Sequence, residues 1–282
     1  MPWKRFGYIC RKASADYKDH EDISVCLKRA ENDTACDLYG DNITINSWPR
    51  KILDGISTIQ EKQNAQWAIE AYSGLNISQQ LEFPMKFKRV IAYLICVTLT
   101  FYILAGIYQF KVAPSFIEVF DNFKMSIPNR LLFYQECWKY FVFAVSVTLV
   151  LALIIGFKMG KLFKFTIGVE DSFIIKYLMF KSIRKSYQRV IEILQFPILC
   201  AKSLKQSNDS PIITHLQVVK SLKMCISKEM QELIEHEMQS ICENCEKQMK
   251  LVSVLVALIA VAAIFFFLIS AYSPLFLLGE IA

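Results

Sequence analysis

The sequence predicts an all-α, polytopic membrane protein with three transmembrane helices and two cytoplasmic helical bundles in tandem repeat. Three observations predict it. Residues 90–110, 140–157 and 251–272 contain no Asp, Glu, Lys or Arg. Apolar residues at helical spacing fill much of the remaining chain, and residues 212–273 contain neither Gly nor Pro. Lysine and arginine collect at one end of each apolar run.

The first run, VIAYLICVTLTFYILAGIYQF, is 21 residues long. At 1.5 Å per residue it spans about 31 Å, the thickness of a bilayer's hydrocarbon core. Hydrophobic residues make up 54% of the chain, a modest excess over soluble domains, and these runs concentrate it. A buried helix of a soluble protein seldom carries more than about fourteen uninterrupted apolar positions. Orientation follows from the flanking basic residues. Lys86, Lys88 and Arg89 precede the first run, Lys158, Lys161 and Lys164 follow the second, and Lys247 and Lys250 precede the third. Between the first two runs Lys111, Lys124 and Arg130 stand against Glu118, Asp121 and Glu136, with Lys139 at the edge of the second run, so basic residues are in little excess there. The expected order is therefore a cytoplasmic helical domain at 1–85 and transmembrane helices at 86–111, 138–158 and 249–273. A periplasmic connector occupies 112–137, a second cytoplasmic bundle 159–248 and a periplasmic tail 274–282. The start, MPWKRFGYICRK, lacks the apolar core of a secretory signal. The net charge of +6 reflects this topology and gives no argument for nucleic acid. Seven of the nine cysteines fall on the reducing side, Cys96 lies in the bilayer and Cys137 stands near the outer face, so structural disulfides are not expected.

In the first domain the clearest element opens at Ser47-Trp48-Pro49, a hydroxyl cap with proline in the first turn. Ile52, Ile56, Ile59, Gln63, Trp67 and Tyr72 then recur at helical spacing, and Gly74 offers a stop that tolerates positive φ. Residues 10–46 are polar and broken, with two short helices expected. After the first run, Pro114 is expected to end the helix. Phe116, Phe120 and Phe123 then lay an aromatic stripe that serves either as an amphipathic connector or as a recognition surface. Trp138 and Tyr140 form an interfacial belt before the second run. In the second bundle, Asp171-Ser172 caps a helix with Phe173, Tyr177, Phe180, Ile183, Tyr187, Val190, Ile191 and Leu194 on its apolar face, ending near Pro197. A further helix is expected from Ile198 to about Gln206. Val219, Leu222, Ile226, Met230, Leu233, Ile234, Met238 and Ile241 keep helical spacing up to the third run. The chain also reads in two halves: Lys88, a run and Pro114-Ser115-Phe116 parallel Lys250, a run and Pro274-Leu275-Phe276.

Chemistry-bearing motifs are few. Cys242-Glu243-Asn244-Cys245 with His236 lacks a second ligand pair for zinc and the strand of a thioredoxin setting. Glu229, Glu232, Glu235 and Glu237 alternate with Met and Leu, as a solvated face open to a partner would. No phosphate-cradling loop, nucleophile elbow or HExxH motif is present. No ionisable side chain interrupts the runs, which argues against a proton relay or ion-coupled transporter. No cofactor, metal or catalytic residue is expected.

The layout resembles the inner-membrane platform proteins of type IV pilus and type II secretion machines, the type II secretion F-domain family. FKRVIAYLI is similar to the family's basic lead-in, with Leu94 where Pro is usual. VAPSFIEVFDNFKMSIP resembles its V-x-P-x-F-x-x-x-F-x-x-x-x-x-x-x-P exit through Val112, Pro114, Phe116, Phe120 and Pro128. RVIEILQFPILCAKSL resembles its L-x-x-G-V-P-L-x-x-A-L turn through Leu194, Pro197, Ala201 and Leu204, and SPLFLLGEI its closing P-I-F through Pro274 and Phe276. Gln195-Phe196 replaces the usual Gly-Val, and Glu70-Ala71-Tyr72-Ser73-Gly74 is a partial echo of G-E-x-S-G. The resemblance covers residues 85–282 and implies a divergent, non-enzymatic platform that couples a cytoplasmic assembly ATPase to insertion of pilin or pseudopilin subunits. The implied partners are that ATPase, the pilins, other inner-membrane assembly proteins, membrane lipid and further copies of the chain. Lys176, Lys181, Arg184, Lys185, Arg189, Glu229, Glu232, Glu235, Glu243 and Glu246 are the expected ATPase contacts. A membrane-anchored scaffold or sensor is the alternative, and a membrane enzyme using Cys242 and Cys245 a third reading.

Overall fold

The computed structural model describes residues 2–17, 21–76, 85–122, 124, 129–169, 172–202 and 210–279. Their regular elements are all helices, with one isolated β-bridge between Ser47 and Thr166. By contacts the chain divides into two units. The first comprises Met1–Pro84 and Lys158–Cys245, the second Met85–Phe157 and Glu246–Ala282. The segments expected as two bundles therefore pack into one unit.

In the first unit, α1 (Pro2–Asp16) begins with proline in its first turn and buries Trp3, Phe6, Ile9, Cys10 and Ala13. Asp22 caps α2 (Ile23–Glu31), its carboxylate accepting from Ser24 N at 3.3 Å. Asp33 caps the 3₁₀ turn Thr34–Tyr39 through Ala35 N, and also accepts from Tyr8 Oη at 2.5 Å and from Lys12 Nζ. The Lys12 and Tyr8 hydrogen bonds, then that backbone amide, hold the Asp33 carboxyl down at about 2.

The single helix expected from Ser47 to Gly74 is two, α3 (Trp48–Ser57) and α4 (Lys62–Ser73). Thr58 closes α3, its hydroxyl turned back to Gly55 O at 2.8 Å. Gly74 does end α4, but with φ −80° its backbone is ordinary. Glycine is needed there for close approach: a Cβ would stand 2.7 Å from Ser227 Cβ.

The later segment contributes α8 (Phe173–Leu178), α9 (Lys181–Ala201), α10 (Pro211–Ser221) and the start of α11 (Ile226–Gly279). The apolar pattern that predicted one helix from Phe173 to Leu194 is broken at Met179, whose ψ of 148° is extended. Lys223, at φ 55°, separates α10 from α11, so the helical spacing that runs up to the third span is carried by two helices. Met224 N bonding back to Val219 O at 3.1 Å closes that turn. Pro197 does not end α9, so Ile198 continues the same helix to Ala201. Helix α4 packs on α1 and α9, and α3 also meets α9. An aromatic chain runs through the core, Tyr72 edge-on to Phe6, Phe6 to Trp3 and Trp3 to Phe165, with Phe165 stacked on Tyr187 at 5.3 Å.

Phe165 has φ 48°, unusual for a bulky residue. Burial of its ring and two backbone hydrogen bonds hold it there. Trp48 N donates to Phe165 O at 3.1 Å, and Ile167 N to Asn46 O at 2.9 Å.

Among the described residues, three helical stretches are long and apolar enough to cross a membrane: Arg89–Asn122, Glu136–Leu162 and Ile226–Phe266. The first two contain the runs 90–110 and 140–157, and the third takes in 251–266 of the last run, the rest of which lies on the same helix, α11. The first is α5 (Met85–Ile107), a π turn (Tyr108–Val112) and α6 (Ala113–Asn122); the second belongs to α7 (Asn129–Leu162). Pro114 thus lies inside helical structure, contrary to the expected exit. Its ring would clash with the carbonyl four residues back in a regular α-helix, and the wider π turn just before it opens that space. Helix α11 likewise passes through Pro274 to Gly279. Tyr102 Oη donates to Ser146 Oγ at 2.5 Å, joining α5 to α7, and Phe141 meets Phe266 of α11 at 4.9 Å.

Candidate functional site

Most of the charged residues expected to meet a partner lie on α9 and α11, with Lys176 on α8. Helix α9 buries Ile183, Tyr187, Val190 and Leu194, which turns Lys181, Lys185 and Arg189 outward. Helix α11 buries Ile226, Met230, Ile234, Met238 and Ile241, which leaves Glu232, Glu235 and Glu243 exposed.

Several of these groups are already engaged within the chain. Arg189 donates to Glu237 Oε1 at 3.0 Å, and the Glu237 side chain is only 6% exposed. His215 Nε2 stands 2.7 Å from Glu229 Oε1. Glu235 and Glu243 accept from Gln231 at 3.2 Å and Gln239 at 3.1 Å. Arg184 is half-buried. Glu246 lies in the second unit and pairs with Lys250 at 3.1 Å. Lys176 belongs to α8, its ammonium 5.8 Å from the Tyr177 ring. The exposed surface is accordingly narrower than expected: Lys181 and Lys185 on α9, and on α11 Glu232 with Glu235 and Glu243, each of the last two bonded to a glutamine of its own helix.

The family-motif residues divide into two settings. Leu194, Pro197 and Ala201 are buried in α9. Proline cannot donate to Ile193 O, so the helix ladder is interrupted there. One carbonyl further on, Tyr72, buried on α4, reaches the same turn: its hydroxyl donates to Leu194 O at 2.5 Å. Burial pushes the Tyr72 phenol well above its ordinary pKa, although the Ile198 backbone amide acts the other way. Asn64 Nδ2 donates to Ala201 O at 3.1 Å and covers the end of the same helix. Local spacing carries no signal for this insertion. Only the singling out of Glu70–Gly74 as a motif fragment touched it.

In the second unit, Val112 lies in the π turn, Pro114 is exposed and Phe116 half-buried on α6, and Phe120 is buried. Tyr108 and Ala113 form a small core there with Val112, Trp138 and Phe266. An apolar cavity of about 370 Å³ is lined from all three spans, by Cys96, Phe101, Trp138, Phe141, Ala263 and Phe266 among others. Pro128, Leu204 and Phe123 fall outside the described residues, as do the side chains of Pro274 and Phe276. A second cavity, about 350 Å³, lies in the first unit between α3 and α9, with Trp48, Ile52 and Ile198 in its wall and Lys51, Asp54 and Lys202 around it.

Cys242 is half-buried and Cys245 buried on α11. Among the described residues no three His, Cys, Asp or Glu side chains converge as metal ligands would. What the geometry offers is recognition surface: a basic stretch on α9, an acidic one on α11 and an apolar cavity among the spans. Compared with protein-family models, curated proteins and solved structures, the chain matches none.

Proposed function

We propose that the chain is a non-enzymatic assembly platform of a type IV pilus or type II secretion machine in the bacterial inner membrane. The first unit faces the cytoplasm and takes the assembly ATPase on Lys181, Lys185 and the Glu232–Glu235–Glu243 face. The spans hold pilin or pseudopilin subunits, other inner-membrane assembly proteins and further copies of the chain. The observation that carries this reading is α11, one helix that starts within the first unit and runs through the third apolar stretch without a break. A force applied to the unit acts directly on a span. The motif resemblance at Val112–Pro114–Phe116–Phe120 and the two-halved order of helical segment then span support the same reading.

The test is affinity purification of the tagged, full-length chain from cross-linked native membranes. Recovery of an assembly ATPase and a prepilin is expected, and the double variant Lys181→Glu, Lys185→Glu loses the ATPase while keeping the prepilin. Absence of both from the wild-type sample overturns the reading in favour of a membrane-anchored scaffold or sensor.

A further inference from the structure

Helix α8 exposes what the rest of the first unit mostly hides. Phe173 is 71% and Tyr177 65% exposed, their rings 4.6 Å apart, with Lys176 beside them. The helix is anchored from its other side, where Ile175 and Met179 are buried, so these rings are held outward by packing. Where α8 begins is also set. Lys158 Nζ donates to Oγ of Ser172, the N-cap residue, at 3.1 Å. Lys158 is the first residue after the charge-free stretch 140–157 on α7, the level at which a span meets the lipid headgroups. Lys161 is exposed in the last turn of α7, and Lys164 and Ile167 on the chain that follows it. Glu170 and Asp171, the acids of this connection, lie outside the described residues.

We propose that α8 is an interfacial membrane contact: Phe173 and Tyr177 insert at headgroup depth, and Lys161, Lys164 and Lys176 bind anionic lipid phosphates. Two exposed aromatic rings beside lysines, tied to the end of a span, match a headgroup layer in both polarity and charge. A basic side chain near an anionic surface changes binding about fivefold. This site does not depend on the platform reading and would hold equally in a scaffold or sensor.

Full-length protein carrying the photocrosslinker p-benzoylphenylalanine at 173, or separately at 177, is placed in nanodiscs of phosphatidylcholine with or without phosphatidylglycerol. After irradiation the intact mass is read. Lipid adducts are expected at both positions, with a yield that rises when phosphatidylglycerol is present. Lys161→Glu with Lys176→Glu lowers the phosphatidylglycerol-dependent part about fivefold per lysine. Adducts confined to protein or water overturn the proposal. Lipid adducts whose yield ignores both phosphatidylglycerol and the lysine reversals overturn the phosphate-binding half of it.

Discussion

Tyr72→Phe isolates the contribution of one hydroxyl to the bend-tolerant part of α9. The substitution keeps the ring against Phe6 and removes only the group that donates to Leu194 O at 2.5 Å. Leu194 is fully buried, so no water replaces the lost donor. An unsatisfied buried acceptor costs about 1–3 kcal/mol. Hydrogen exchange of the full-length protein in detergent reads this locally. The amides from Ile198 to Ala201 exchange about 5- to 150-fold faster in the variant, the same free energy expressed as a ratio. Tyr72→Ala adds a cavity and costs about 3–5 kcal/mol, as large aromatic truncations do, which separates the ring from the hydroxyl. Exchange at Ile198–Ala201 within about twofold of wild type in Tyr72→Phe, alongside a large Tyr72→Ala effect, would refute the reasoning.

Three further outcomes follow from the packing. Gly74→Ala places a methyl 2.7 Å from Ser227 Cβ, which is fixed to its backbone, whereas Gly55→Ala meets the rotatable Ile198 Cδ1 at 2.8 Å. The first lowers stability by about 1–3 kcal/mol and is rescued by Ser227→Gly, while the second costs less; equal melting temperatures for the two single variants would contradict this. At Phe165, φ 48° reverses the usual preference, so Phe165→Gly is less destabilising than Phe165→Ala by about 1 kcal/mol, measured by thermal melts. Asp33 is held at about 2 against an ordinary 3.8, so its contribution is complete above about pH 4 and lost as pH falls from there toward 2. Asp33→Asn flattens that acid limb in a pH titration of helicity, and an unchanged limb would sink the assignment.

The three spans were legible because a charge-free run of such length has few other uses, and all three lie within α5 and its π turn, α7 and α11. Their ends were not legible, since apolar runs record the solvent around a helix and not where its hydrogen bonding stops. Pro114 and Pro197 were read as terminators on local grounds. What surrounds each is something the local sequence does not display, a π turn just before Pro114 and, beside Pro197, a tyrosine from another helix on Leu194 O. Helix α1 was missed although Trp3, Phe6, Ile9, Cys10 and Ala13 carry the period, because six interspersed charged and polar residues (Lys4, Arg5, Tyr8, Arg11, Lys12, Ser14) mask it over so short a stretch. The charged faces of α9 and α11 were found, but ion pairing was not: nothing in the spacing joins Arg189 to Glu237 or His215 to Glu229.

The clasp between Trp48 and Phe165 bears on the order of biosynthesis. Residues that complete the core around Trp3, Phe6 and Tyr72 come from beyond the second span, at Phe165, Tyr187 and Leu194. A ribosome adding about 5–20 residues per second needs roughly 8–30 s to travel from the end of the first segment to the end of the second. Throughout that interval two apolar helices are entering the bilayer while the amino-terminal helices wait with one side of their core uncovered. Membrane insertion therefore precedes completion of the first unit, and a chain whose second span fails to integrate leaves an aromatic surface for chaperones and proteases to find.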